Sequence, residues 1–503
     1  MAIELLVGKM IAPLYGSSFL VWASVIGISL IALAIGYFIG GRLTQQHNTS
    51  SILLWLLFSL AVIIGLLSPM GQRVIYSMSG YSLWFAALLS SAFLLFPPLI
   101  VLGIIPPFLI SMLCKEKDSA GKTAGLIYSI STFSGIVSTL VVGFYIIPEL
   151  GIKKPLLAIS YILFMISFYG FLKNRKFIPL AIGLLVLFVI TQSVIKKPPR
   201  MKQIKIKEQL EGLYGQINII DNLAKQERIL VINNITQTLV NLDDVTVSQM
   251  NYVHNLSIFS SLKKTQNAKA LLCGMGGGSI LNELLRQGFE TDAVEIDSRM
   301  AKLSNRYFNM SSEGYDLFVD DARHYIRNSN KKYDLVVMDL LSSEVQPAHL
   351  FSLEHFNDLK KNLNKNAIII INFQGYLYGK EGLSTRSILK TMVKAGYNTS
   401  VYFDPDEINT IVTDIFLIAS PDLIDFEKLD FNQVNECCRK ALFNINNIKK
   451  GESVDLESAF IITDDNSSIL DQLDRQAIND WRMDFVKEFR VWEESNMNVP
   501  LFQ

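Results

Sequence analysis

The sequence predicts a chain in three parts. These are an α-helical transmembrane domain over residues 1–198, a small β-strand domain over 199–250 and an α/β domain over 251–503. Three observations carry the prediction. Up to Ser193 nearly every residue is apolar, and the only acids are Glu4, Glu116, Asp118 and Glu149. Short strand signals separated by polar turns follow, and then a run of apolar strands that end in glycine or a carboxylate.

The first part contains six apolar stretches long enough to cross a bilayer, at about 17–40, 52–69, 82–112, 121–148, 154–172 and 177–195. The first lacks a small-residue cleavage site after a short apolar core, so it is expected to be a retained helix. Pro97-Pro98 and Pro106-Pro107 should bend or break the third stretch. Gly121, Gly125, Ser129, Thr132, Gly135 and Gly143 recur at a spacing that lets helices pack closely. No Asp, Glu, Lys or Arg sits in the middle of an apolar stretch, where ion-coupled transporters usually carry one. This half reads as a scaffold in the lipid bilayer. A further span in Ile3 to Leu14, or in the proline-broken third stretch, would change the topology.

The rest of the chain carries 42 of the 46 acidic residues against 33 bases, about −9 in all. A domain this acidic is a poor nucleic-acid binder, so no nucleic-acid partner is expected. Cys114, Cys273, Cys437 and Cys438 form neither a metal-ligand spacing nor a disulfide framework. The five histidines do not pair at metal-ligand spacing either, and no metal is expected. Lys196-Lys-Pro-Pro-Arg200 is a stiff polar exit from the bilayer. After it, Gly215 to Ile220, Arg228 to Ile232 and Thr236 to Val240 read as strands, with Asn233-Asn234 suited to a hairpin turn.

The α/β domain is organised by Ala270 to Leu341. Ala270-Leu-Leu-Cys-Gly-Met-Gly-Gly-Gly-Ser-Ile reads as strand, tight turn and helix start, where bare backbone can approach a ligand. Asp292-Ala-Val-Glu-Ile-Asp297 is a second strand whose acids lie about 20 residues on, the spacing for a carboxylate that grips a ribose diol. Leu317 to Ala322 and Tyr333 to Leu341 deliver Asp321 and Asp339 in the same way. Four such strands describe the ligand edge of a doubly wound sheet. Ala367 to Asn372 and Ile415 to Ala419 read as its last strands, with a helix from Ser384 to Ala395. The acids of Ile462-Thr-Asp-Asp-Asn466 read as caps of a polar helix from Ser468 to Glu494.

The ordered series of glycine cluster, Glu295, Asp321 and Asp339 resembles the Rossmann-like nucleoside site of class I S-adenosylmethionine (SAM) enzymes. Within them it is similar to the spermidine synthase (polyamine aminopropyltransferase) family. The resemblance implies that Gly274, Gly276, Gly277 and Gly278 face the amino-acid or aminopropyl tail of SAM or decarboxylated SAM. It implies Glu295 on the ribose, Asp321 on the adenine amino group and Asp339 over the reacting amine. Gln216 and Gln237 take the places of pocket-lining glutamines, and Tyr252 that of a tyrosine aimed at the site. His254 stands where the family has an acid, as an acid–base or hydrogen-bonding group. The stretch Glu4 to Trp22, ending in Gly36-Tyr-Phe-Ile-Gly-Gly-Arg42, resembles bacterial membrane proteins in which several helices precede such a domain. That implies a multi-pass protein of the bacterial inner membrane with a cytoplasmic catalytic domain and a small-molecule nucleoside substrate. A homo-oligomer is compatible with it.

Two family acids are replaced, by Gly277 and Ser342. An acid facing the ligand tail would repel the α-carboxylate of intact SAM, so Gly277 is expected to favour SAM and to expose N–H groups suited to an anion. The reading is a membrane-integrated transferase that attacks the carbon next to the sulfonium and releases methylthioadenosine. Aminopropyl transfer, methyl transfer and cyclisation of SAM to homoserine lactone remain alternatives, as does a SAM-sensing membrane protein or transporter.

Overall fold

The computed structural model describes residues 1–15, 19–44, 49–78, 80–114, 120–174, 183, 204–210, 212, 214–233, 235–263, 267–310, 313–340, 347–403, 413–423, 449–450 and 454–473. The chain divides into two compact units, built on Met1–Arg200 and Asn218–Glu488.

The first unit is helical: α1 (Ala2–Tyr15), α2 (Phe19–Leu43), α3 (Thr49–Ser77), α4 (Leu83–Leu113), α5 (Ala120–Val141), α6 (Ile147–Leu150) and α7 (Lys153–Lys173). A π-helical turn, Val142–Ile146, joins α5 to α6. Among the described residues, five helices are long and apolar enough to cross a membrane: Val21–Leu43, Ser51–Ser77, Trp84–Leu113, Ala120–Leu150 and Lys153–Lys173. The sixth expected span, 177–195, lies outside the described residues except for Gly183. The stretch Ile3 to Leu14 is helical, but its 14 residues reach only about 21 Å, short of the ~30 Å hydrocarbon core. It buries Leu6, Val7, Met10, Ile11 and Tyr15 within the unit instead.

Two expectations change here. The four prolines do not break α4, which runs unbroken for 31 residues. Carbonyls freed by proline are tolerated where neighbouring helices enclose them, and α4 packs closely against α2. A Cβ on Gly40 would stand 2.7 Å from the Ile104 carbonyl oxygen, and one on Gly103 2.7 Å from that of Leu33. Close backbone approach therefore belongs to Gly36, Gly40 and Gly103, in a small-xxx-small arrangement. The glycines of α5 do not provide it. Among the described residues α5 buries none, and nothing lies within 4 Å of a Cβ placed on Gly121 or Gly125.

The second unit begins with a four-stranded sheet in the order β1 (Ile204–Leu210), β2 (Ile217–Asn222), β3 (Glu227–Ile232), β4 (Ile235–Asn241). The first strand alternates half-buried and exposed residues along Ile-Lys-Ile-Lys-Glu-Gln-Leu. The sequence reading names no strand there. The main sheet runs β12-β10-β11-β9-β8-β5-β6-β7. Here β5 is Lys269–Cys273, β6 Glu290–Glu295, β7 Tyr315–Val319, β8 Tyr333–Met338, β9 Leu363–Gly375, β10 Asn398–Phe403, β11 Thr413–Ser420 and β12 Lys449–Lys450. Strands β7, β6, β5, β8 and β9 are parallel, while β11 and β10 close the edge antiparallel. The chain moves outward from β5 to β7 and then returns to β8 on the other side of β5. That reversal opens a crevice at the carboxyl ends of β5 and β8, where open α/β sheets bind ligands. Apolar side chains bury both faces of the sheet. The terminal helix is described over Ser468–Leu473, and the rest of its expected length lies outside the described residues.

Candidate active site

The crevice is held by backbone contacts. Asp339 N donates to the Cys273 carbonyl at 2.9 Å, and Gly274 N to that of Val294 at 2.9 Å. Gly274 has φ +89°, and the Asp339 carbonyl oxygen occupies the place a Cβ would need. Only glycine fits there. Gly278, at φ +90°, starts the helix Ser279–Arg286.

Glu295 ends β6 facing this turn. Its Oε2 accepts from Met275 N at 3.0 Å and Gly276 N at 3.4 Å, and its Oε1 from Asp297 N at 2.9 Å. Burial pushes its carboxyl above the usual range, and those backbone donors partly offset the rise. Gly277 N donates to Thr238 Oγ1 at 3.0 Å, and Thr238 fills the space a Cβ at 277 would take. The expectation that Gly277 leaves N–H groups open to an anion is therefore corrected. Thr238 takes one, and Glu295 takes those of Met275 and Gly276.

Asp321 ends the β7 segment and caps the helix Ala322–Asn328, accepting from Arg323 N and His324 N at 3.0 Å. Its Oδ2 lies 3.1 Å from His349 Nε2. Burial alone would raise its carboxyl, but the His324 N–H, His349 and the Arg323 N–H together hold it low. Ile296 and Val319 stay 42% and 53% exposed at the ends of β6 and β7. These apolar surfaces on the ligand edge could have been read from Ile296, which stands between two acids.

Asp339, just past β8, is half-buried. Its Oδ1 accepts from Asn372 Nδ2 at 3.1 Å, and the Tyr252 hydroxyl also bonds to it. Burial raises its carboxyl to about 6, with Asn372 and Tyr252 acting against the rise. Burial, then the charges of Asp339 and Asp414, pushes the Tyr252 phenol well above its ordinary value, so it remains a donor. A carboxylate that titrates near 6 is suited to take a proton at neutral pH.

Tyr252 and Asp339 are thus brought together. The Tyr252 hydroxyl also lies 3.5 Å from the Gln237 backbone carbonyl. His254 is buried, and its Nε2 bonds to the Ser248 carbonyl at 2.8 Å. Two positions from Tyr252 on a helix, it points to another face. Gln216 is half-buried just before β2, in the segment assigned to the helical unit. Ser342 and Glu344 lie outside the described residues. Asp464 does not serve as a cap: both its oxygens meet the Arg323 guanidinium at 2.7 Å, and it also accepts from Ser352 Oγ at 2.6 Å. The sequence reading missed Asn372, Gln374 and Asp414, although Asn372 stands out as the polar end of an isoleucine run.

Residues 250–413 match the spermine/spermidine synthase domain. Polyamine aminopropyltransferase 2 of Aquifex aeolicus is 25% identical over 453 residues, 84% of this chain and 85% of that protein. Its α/β region is thus similar to spermidine synthases. Other relatives match over shorter stretches. The polyamine aminopropyltransferase of Thermoplasma volcanium is 32% identical over 115 residues, 22% of this chain and 42% of that one. A probable spermidine synthase from Corynebacterium glutamicum superposes with a TM-score of 0.44 at 15% identity, covering 52% of this chain and 97% of that one. The crevice between β5 and β8 holds Asp339, while Thr238 lies against Gly277.

Proposed function

We propose that this chain is a membrane-integrated relative of spermidine synthases that transfers an aminopropyl-type group from a SAM-type sulfonium to an amine, releasing methylthioadenosine. One observation carries the proposal: Asp339 stands at the crevice with a carboxyl raised to about 6, fixed by Asn372 and Tyr252. Glu295 and Asp321 are assigned to ribose and adenine, and Ile296 and Val319 to the faces of the base. The neutral acceptor nitrogen forms an N–C bond as the C–S bond breaks. Sulfur keeps the electron pair as the thioether of methylthioadenosine, and the proton lost from the new ammonium passes to Asp339. The soluble half is assigned to the cytoplasmic side, because SAM-type nucleosides are cytosolic metabolites.

The test follows products in the full-length protein in detergent. Asp339→Asn should leave methylthioadenosine binding intact and lower turnover roughly 10²–10⁴-fold. Unchanged turnover would make Asp339 a turn residue, and accumulation of S-adenosylhomocysteine would make the enzyme a methyltransferase. Gly277 favours a second reading, because no acid there repels the α-carboxylate of intact SAM. In that case SAM alone, without an amine, should yield methylthioadenosine and homoserine lactone. Release that requires both decarboxylated SAM and an amine excludes it.

A further inference from the structure

One charged side chain from late in the sequence reaches the edge of the crevice that carries Asp321. Residues 454–473 are pinned to two helices of the α/β unit, Leu353–Leu359 and Leu383–Lys394. Leu353 N donates to the Ile462 carbonyl at 2.8 Å, Ile462 N to Thr391 Oγ1 at 2.9 Å and Phe460 N to Ser387 Oγ at 3.1 Å. Asp464 N donates to Glu354 Oε2 at 2.9 Å. These bonds set Asp464 against Arg323, 141 positions earlier. Arg323 is only 8% exposed, and its Nη1 and Nη2 meet the two Asp464 oxygens at 2.7 Å. A bidentate pair fixes the plane of a guanidinium as well as its place. The same Nη1 then donates to the His349 carbonyl at 3.0 Å, while Arg323 N donates to Asp321 Oδ1. One residue thus holds His349 and Asp321 together.

The two side chains that Arg323 joins present one kind of group. Asp321 Oδ1 is committed to the helix N–H groups of Arg323 and His324, and Oδ2 faces His349 Nε2 at 3.1 Å. A ring nitrogen that faces a carboxylate carries the hydrogen, so Nδ1 of the neutral ring is an acceptor. No hydrogen bond reaches that Nδ1 among the described residues. Asp321 Oδ2 keeps a further lone pair. The His349 and Asp321 side chains remain 47% and 35% exposed, open at the ligand edge. An exocyclic amino group brings two donors to these acceptors, whereas an oxo group at the same place brings a third acceptor. A site built around an N–H rejects the analogue that lacks it.

We infer that His349 is a specificity-determining residue that selects a 6-amino over a 6-oxo purine, and that Asp464 is its positioning residue, acting through Arg323. This rests on the assignment of Asp321 to the base of the nucleoside. The segment 454–473 thereby contributes to base selectivity by holding the imidazole, not by contact with the base.

Full-length protein in detergent is titrated calorimetrically with methylthioadenosine and with its 6-oxo analogue, methylthioinosine. Wild type should prefer the 6-amino compound by roughly tenfold or more, the worth of one hydrogen bond to a charged group. Asp464→Asn keeps the size of the side chain and removes its charge. It should lower methylthioadenosine affinity roughly tenfold and leave methylthioinosine within about twofold, so that the preference disappears. Asp464→Glu, which keeps a carboxylate for Arg323, should retain most of the preference. His349→Ala should erase the preference alone, and adding Asp464→Asn to it should change either affinity by no more than about twofold. A merely structural role for Asp464 would weaken both nucleosides alike and add to the His349→Ala loss, and either result overturns the inference. So does a preference that survives in Asp464→Asn. If Asp464→Asn does not fold, His349→Ala carries the test, since its side chain is half-exposed, and a preserved preference there overturns the inference. Wild type that binds the two nucleosides equally removes the assignment of Asp321 to the base as well. Wild type that binds neither removes the nucleoside reading itself.

Discussion

At the scale of single residues, burial decides the chemistry. Asp339 and Asp321 both end parallel strands of one sheet, yet their acidities move in opposite directions. Asp321 accepts two helix N–H groups and faces His349, which stabilise its charge. Asp339 is desolvated, with Asn372 and Tyr252 as its side-chain donors among the described residues, so its carboxyl rises to about 6. The base must be ionised to accept a proton. Turnover in the wild type should therefore fall as pH drops through about 6 and level off above it. A pH–rate profile checks this, and a profile flat from pH 5 to 8 would separate the reaction from Asp339 ionisation (about one unit on either side of the group). Glu295 is a different case, because backbone N–H groups already satisfy its oxygens. Its removal takes away a ribose partner and also loosens the glycine turn. Glu295→Ala should lower methylthioadenosine affinity by about 1.5–3 kcal/mol in calorimetry. Equal affinity in a folded variant would remove the ribose assignment.

At the scale of elements, the glycine turn is coupled to the small sheet through one contact. Thr238 of β4 bonds to Gly277 N, and a Cβ at 277 would lie 2.7 Å from the Thr238 Cγ2 and Oγ1 atoms. Gly277→Asp, the change that restores the family acid, should therefore cost about 1–3 kcal/mol in stability as overpacking. Adding Thr238→Gly should recover part of that loss in a double-mutant cycle. Additive losses in thermal unfolding would show that the two positions do not share the space. Donor preference is best read in the double variant. This coupling also marks what the sequence could disclose. The glycine turn, Glu295, Asp321 and Asp339 were legible because each stands at a strand end with its chemistry in its own residue type. Strand β1 was not, since its apolar residues are few and alternate with lysines. Asn372, Gln374 and Asp414 were not, since the register of β9 with β11 brings together residues about forty apart in sequence. The proline-rich α4 was misread because proline penalties were judged without the glycine-mediated packing of α2 that encloses it.

At the scale of the whole molecule, two units of different chemistry are joined in one chain. The helical unit holds together by backbone approach at Gly36, Gly40 and Gly103, and the α/β unit by two apolar faces around its sheet. Five helices of the first unit are long and apolar enough to cross a membrane, so the two units respond differently to solvent and a single two-state transition is not expected. Apart from Gln216, every residue assigned here to the nucleoside or the reacting amine lies in the Asn218–Glu488 unit. A nucleoside that binds only the native form of that unit stabilises it by mass action, about 2.7 kcal/mol at a hundred times its Kd. Saturating methylthioadenosine should therefore slow hydrogen exchange in β5, β6, β8 and β9 and leave exchange in α2 and α4 unchanged. Gly103→Leu, which would drive α2 from α4, should do the reverse. It should lower the unfolding temperature of the helical unit in detergent while methylthioadenosine affinity stays within about twofold, as for sites that share no partners. Equal protection of α2 and α4 by the nucleoside, or loss of nucleoside affinity in Gly103→Leu, would contradict this independence. Either outcome would mean that the helical unit takes part in the equilibrium that binds substrate.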